Sequence, residues 1–163
     1  MNVTSKTKMM SKTAIIAVLF FVINTVFSAI SFGAIQVRIA NIMYQFVPYN
    51  KKYFPAMILG VALANVVSPL GWLDMMFGVG TTVVGLGSAI LINKYVKSLN
   101  TRKWVTAITV SLATILVATE LHIAFNLPIL ATFITVALGQ FVSQVLGIVV
   151  TAVIDKRIGL EKF

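Results

Sequence analysis

Long apolar runs, each closed by a short polar cluster of Lys, Arg, Asn or Pro, make up nearly all of this chain. No other feature restricts its fold so tightly. A run of about 20 apolar residues wound as a helix crosses the roughly 30 Å of hydrocarbon in a bilayer. Lipid offers no partner to a backbone N–H or C=O, so such runs satisfy themselves as helices. The pattern predicts an all-α polytopic membrane protein. Its six transmembrane helices fall at approximately 13–32, 35–47, 55–68, 74–92, 104–125 and 129–154, and a single domain covers 1–163. Gly33 closes the first run and Pro48 the second. Pro55 opens the third as a first-turn residue, and Leu127-Pro128 divides the fifth from the sixth.

Composition removes the main competitors. Only 10% of the residues are charged and 59% are apolar. A water-facing surface needs charge nearer about 25%. The net charge of +9 does not form one face, because the basic residues sit at the ends of the apolar runs, so nucleic acid is not the expected partner. With no Cys and one His, thiol chemistry is excluded and a metal or other cofactor is not expected. Lys6, Lys8 and Lys12 ahead of an apolar run imitate a signal peptide. The run from 13 to 32 is longer than an h-region of about 7–15 residues, however, and no Ala-x-Ala cleavage site follows. It reads as a retained first helix.

The basic residues also set an orientation. With the N-terminus inside and six crossings, Lys6, Lys8, Lys12, Lys51, Lys52, Lys94, Lys97, Arg102, Lys103, Lys156, Arg157 and Lys162 all fall on the inner side, and only Arg38 falls outside. The positive-inside rule therefore favours both termini in the cytoplasm. Runs two and three are short enough to be re-entrant. That would carry Lys51 and Lys52 toward the midplane at about 2.5–3.5 kcal/mol each, so two short spanning helices are the better expectation.

Ionisable groups at membrane depth are functional candidates. Asp155 and Glu161 lie beside Lys156, Arg157 and Lys162 and read as interfacial charges. Arg38, Asp74, Glu120 and His122 remain, all in the outer half, where two acids against one fixed cation suit a cationic or donor-rich ligand. Asp74 starts its helix and fits a cap equally well. Glu120 is too deep for a cap; it is either a partner for Arg38 or a site residue. Two residues of helix turn through about 200°, so Glu120 and His122 cannot share a face. A charged Glu in lipid costs more than a neutral His, which points Glu120 inward. Gln140 and Gln144, with Ser143, form a polar stripe that serves either helix association or a ligand. Asn65 and Asn24 fit helix bridging, and Gln36, Arg38 and Asn41 cluster at the start of the second run. The glycines at 78, 80, 85 and 87 follow no strand and precede no Lys-Ser or Lys-Thr pair, so they read as packing residues and not as a nucleotide loop.

Two stretches carry a resemblance. Gly33-Ala34-Ile35-Gln36-Val37-Arg38, and Asn65-x-x-Ser68-Pro69-Leu70-Gly71-x-x-Asp74-x-x-Phe77-Gly78, resemble the QueT family, the substrate-binding S components of energy-coupling-factor (ECF) transporters for a queuosine precursor. The resemblance covers essentially the whole chain. It implies a bacterial-type, multi-pass protein of the cell membrane that is not itself an enzyme. Its partners would be a transmembrane coupling subunit and two ATP-binding-cassette ATPases. The implied ligand is a 7-deazaguanine such as the aminomethyl form. Glu120 and Asp74 would then be acceptors for its donor edge and its cation, with Gln36, Arg38, Asn65 and Gln140 or Gln144 completing the site. Ala14 and Ala17 lie where such proteins carry an Ala-x-x-x-Ala docking surface, although Val18 interrupts that spacing. An S component for another vitamin-like molecule, or a self-sufficient secondary transporter, are the alternatives. An intramembrane enzyme would need Glu120 and His122 on one face, which a helix forbids.

Overall fold

The computed structural model describes residues 3–27 and 38–162. Among these are six α-helices: α1 (Val3–Val26), α2 (Phe54–Val66), α3 (Trp72–Asn93), α4 (Leu99–Ala113), α5 (Ile115–Phe125) and α6 (Ile129–Ile158). Short 3-10 helices occupy Ile39–Phe46, Lys51–Tyr53 and Leu160–Lys162. Gln36, Gly33, the end of the first apolar run and the start of the second lie outside the described residues.

The packing is that of a protein whose solvent is lipid. On α6 a stripe of Leu138, Val142, Leu146, Val149 and Val153 is exposed, while Thr132, Gly139, Gln140, Ser143, Gln144, Gly147 and Thr151 are buried on the opposite side. The apolar side chains face out because hydrocarbon costs them nothing, and small or hydrogen-bonding residues join the helices. Gly147 shows why size matters there. A Cβ at this position would stand 2.7 Å from the Ile42 carbonyl oxygen and 2.8 Å from Gln45 Cγ.

Among the described residues, four segments are long and apolar enough to cross a membrane: Lys6–Val26, Trp72–Asn93, Leu99–Phe125 and Ile129–Ile158. The third of these joins α4 to α5 through Thr114, whose hydroxyl donates to the Ser111 carbonyl at 2.5 Å. Predicted runs two and three take a different form. The second is, from Ile39, an eight-residue 3-10 helix with Ala40, Asn41, Met43, Tyr44 and Gln45 all buried. It is wedged among α6, α1 and α4 rather than standing in lipid. The third is the 13-residue α2, about 20 Å long, short of an upright bilayer crossing. Helix ends also differ from the hydropathy boundaries. α1 begins at Val3, α4 at Leu99, and α6 runs on to Ile158. Lys and Arg are good helix formers, so the backbone continues through basic turns that hydropathy assigns to loops. Lys103, expected in an inner loop, is instead 5% exposed inside α4, with Nζ 4.7 Å from the centre of the Tyr49 ring.

The chain's other end closes against the loop before α2. Tyr53 Oη donates to the Leu160 carbonyl at 3.1 Å, Asn50 Nδ2 donates to that of Glu161 at 3.0 Å, and Leu160 is buried in the core.

Candidate functional site

Where α2 turns into α3, Ser68, Pro69 and Leu70 stand off from α5 and the start of α6, and a cavity of about 490 Å³ opens between them. That volume suits a small-molecule ligand, for which pockets run from about 300 to 1,000 Å³. Val117, Leu121, Phe125, Leu127 and Val136 form its apolar frame, and Arg38, Ser68, Asp74, Glu120, Thr132 and Thr135 supply the polar groups.

Glu120 is directed inward, as the helical rotation requires. It is 1% exposed, and its Oε1 is buried without a hydrogen-bond partner among the described residues. His122 is on the exposed side, its Nδ1 2.7 Å from the Leu127 carbonyl oxygen. Asn126 takes the left-handed conformation that ends α5, its N–H donating to the His122 carbonyl at 2.8 Å. Asp74 lies in the first turn of α3, but no side chain caps that helix; its Oδ2 accepts from Ser68 Oγ instead. The carboxyl groups of Asp74 and Glu120 meet within hydrogen-bonding reach, and Arg38 acts on Glu120 only at Coulombic range.

Beneath the cavity a small void of about 10 Å³ shares Arg38, Val117 and Val136 with it and adds Asn41, Tyr44, Thr81, Thr82 and Gln140. Asn41 Nδ2 donates to Gln140 Oε1 at 2.6 Å, which leaves Gln140 Nε2 buried and unpartnered; Thr81 Oγ1 is likewise unpartnered. Tyr44 Oη and Thr82 Oγ1 pair at 2.8 Å.

The remaining candidates from the sequence separate. Gln144 is spent on structure: its Oε1 accepts from Gln45 Nε2 at 3.0 Å, and its Nε2 donates to the Asn41 carbonyl at 2.9 Å. Asn65 sits behind the cavity wall, where Nδ2 donates to the Asp74 carbonyl at 2.6 Å and fills the space over Gly78. Neither side chain lines the cavity, so of the sequence candidates the structure brings Arg38, Asp74 and Glu120 together on its wall and leaves Gln140 in the void beneath, apart from Asn65 and Gln144. Thr132, Thr135 and Tyr44 were missed, since a lone hydroxyl in an apolar helix looks like packing. Ser68 had a signal, its place in the Asn-x-x-Ser-Pro-Leu-Gly stretch.

A second hollow, about 990 Å³ and apolar, lies between α1, α2 and α3, with Met10, Ala14, Leu59, Val83 and Gly87 in its walls and Lys51 and Lys52 at one end. Ala14 thus borders an open groove. Ala17, 2% exposed, faces into the bundle and offers no surface to a partner.

Apolar helices around an acid-lined chamber of solute size define a multi-pass membrane protein that handles small polar molecules. The chain belongs to the QueT transporter family, which it matches over residues 10–156. It is 31% identical to the queuosine precursor transporter QueT of Lactococcus lactis subsp. cremoris (strain MG1363) over 167 residues, 97% of this chain and 98% of the relative. The resemblance read from the two motifs is thereby borne out. No solved structure matches the chain.

Proposed function

We propose that this chain is the substrate-binding S component of an ECF-type importer and takes up a queuosine precursor, a 7-deazaguanine such as the aminomethyl form. The observation that carries the proposal is the solute-sized cavity in which Glu120 holds a carboxyl oxygen that is buried and, among the described residues, without a hydrogen-bond partner. A buried acceptor left without a donor costs about 1–3 kcal/mol or more, so its presence argues for a ligand that supplies the donor. Asp74, Arg38 and Gln140 complete the binding set, with Gln36 as a further candidate beside Arg38 in sequence.

The sequence holds no nucleotide-binding loop, so ATP hydrolysis belongs to two separate cassette ATPases, joined through a coupling subunit. The apolar groove beside Ala14 is the face proposed for that subunit. The whole chain acts as one domain of six crossings with both termini inside. In that arrangement the 3-10 segment and α2 make the second and third crossings, and Lys51 and Lys52 stay at the inner surface.

Calorimetric titration of the purified chain with 7-aminomethyl-7-deazaguanine tests the reading; micromolar or tighter binding is expected, and no heat of binding at any concentration removes it. The rival reading, a self-sufficient secondary transporter using Glu120 as a proton carrier, predicts uptake in cells without coupling subunit or ATPases. The S-component reading predicts none.

A further inference from the structure

We infer that Asp74 and Glu120 form one subsite for a single cationic group, a primary ammonium on the ligand, and do not serve two separate ligand edges. The inference rests on the functional reading above and sharpens it. The two side chains come from different elements, the first turn of α3 and the middle of α5, yet their carboxyl groups meet within reach of one bridging hydrogen. Ser68 holds Asp74 Oδ2 in place, and Glu120 Oε1 is buried with no partner. Two acids at that separation cannot both carry charge without strong repulsion in a medium of low dielectric constant. A cation set between them removes the repulsion and gives each a charge-assisted hydrogen bond. Arg38, on the same cavity wall, reaches Glu120 only at Coulombic range, so the position between the acids is left to the ligand.

Ligand shape points the same way. The N–H donor edge of a 7-deazaguanine and its aminomethyl nitrogen lie on opposite sides of the bicyclic ring. Carboxyl groups in contact cannot reach both. An uncharged donor edge would also bring no charge to offset that repulsion. The acids therefore take the ammonium, and the unpartnered Gln140 Nε2 beneath the cavity, with Arg38, is left to meet the carbonyl edge.

Dissociation constants for 7-aminomethyl- and 7-cyano-7-deazaguanine, measured on wild type, Asp74→Asn, Glu120→Gln and the double variant, test this. Wild type is expected to prefer the ammonium by roughly 100-fold, and each single variant by no more than about threefold. The double variant should lose nothing further, because both acids act on one cation. A preference kept by either single variant, or losses that add in the double, overturns the inference. A cooperative thermal transition near that of wild type establishes that each variant is folded. Wild type alone gives a test without substitutions: the uncharged 7-hydroxymethyl analogue should bind far more weakly than the ammonium, and equal binding overturns the inference while leaving the functional reading standing. Failure of wild type to bind any of the deazaguanines instead removes the functional reading and the inference with it.

Discussion

Two layers of buried polar residues lie within the same bundle, and they differ in how far their hydrogen bonds are completed and in what the unfilled atoms border. In the layer of Asn41, Gln45 and Gln144, amides from the 3-10 helix and α6 donate and accept across the interface, Gln144 uses both ends of its amide, and Gln45 Oε1, left without a partner among the described residues, lines neither the cavity nor the void beneath it. Around the cavity and the void beneath it, Glu120 Oε1, Gln140 Nε2 and Thr81 Oγ1 are buried with no partner among the described residues. Polarity at membrane depth therefore has two uses, and an unfilled atom that borders a cavity tells them apart. A completed amide pair is glue; an incomplete group beside a cavity is half of a contact whose other half arrives from outside.

Substitutions that exchange the roles of the two layers should break this contrast. The largest effect is expected for Glu120→Ala, which should weaken deazaguanine binding by roughly 100-fold or more, while the thermal midpoint in detergent holds or rises because an unpaired buried acid is gone. A fall of many degrees with affinity intact would mark Glu120 as glue. Gln144→Leu should do the reverse. It removes the donor to the Asn41 carbonyl and one of the two acceptors of Gln45 Nε2, which keeps the Lys103 carbonyl at 3.2 Å; a cost of about 1–3 kcal/mol of stability by denaturant titration is expected, and affinity of the folded fraction should stay within about threefold. Gly147→Ala tests the same interface sterically. Its Cβ meets the Ile42 carbonyl at 2.7 Å, so a loss of about 1–3 kcal/mol is expected with no change in ligand preference. The smallest effect belongs to Gly87→Ala, where a Cβ has open space and the helix gains up to about 1 kcal/mol of propensity. Purified protein should be as stable as wild type or more so. Any loss of cellular uptake with binding intact would then point to the groove as a docking face.

How far the sequence could be read depended on how local each fact was. The inward turn of Glu120 and outward turn of His122 follow from the angle between neighbouring helical residues, and both were legible. The fate of the glutamines was not. Gln140 and Gln144 are four apart on one helix and look equivalent, but their partners are 99 residues away, at Asn41 and Gln45. Only the fold decides that one amide is left half free. Asn65 was ambiguous for the same reason, since its bond to the Asp74 carbonyl requires the turn at Ser68–Leu70. Helix starts were missed where hydropathy and helix propensity disagree, at Lys6–Lys12 and at Arg102–Lys103, where charged residues that are good helix formers continue the helix beyond its apolar run.

The closing turn at Leu160 bears on how the protein is made. Tyr53 waits 107 residues for the carbonyl that receives its hydroxyl, and Asn50 waits 111 for Glu161. Until translation has passed that point, the ring of core residues around Tyr53 stands open at one side. A ribosome-stalled chain ending just before Leu160 should be digested readily by protease near Lys51 and Lys52, and the finished chain should resist.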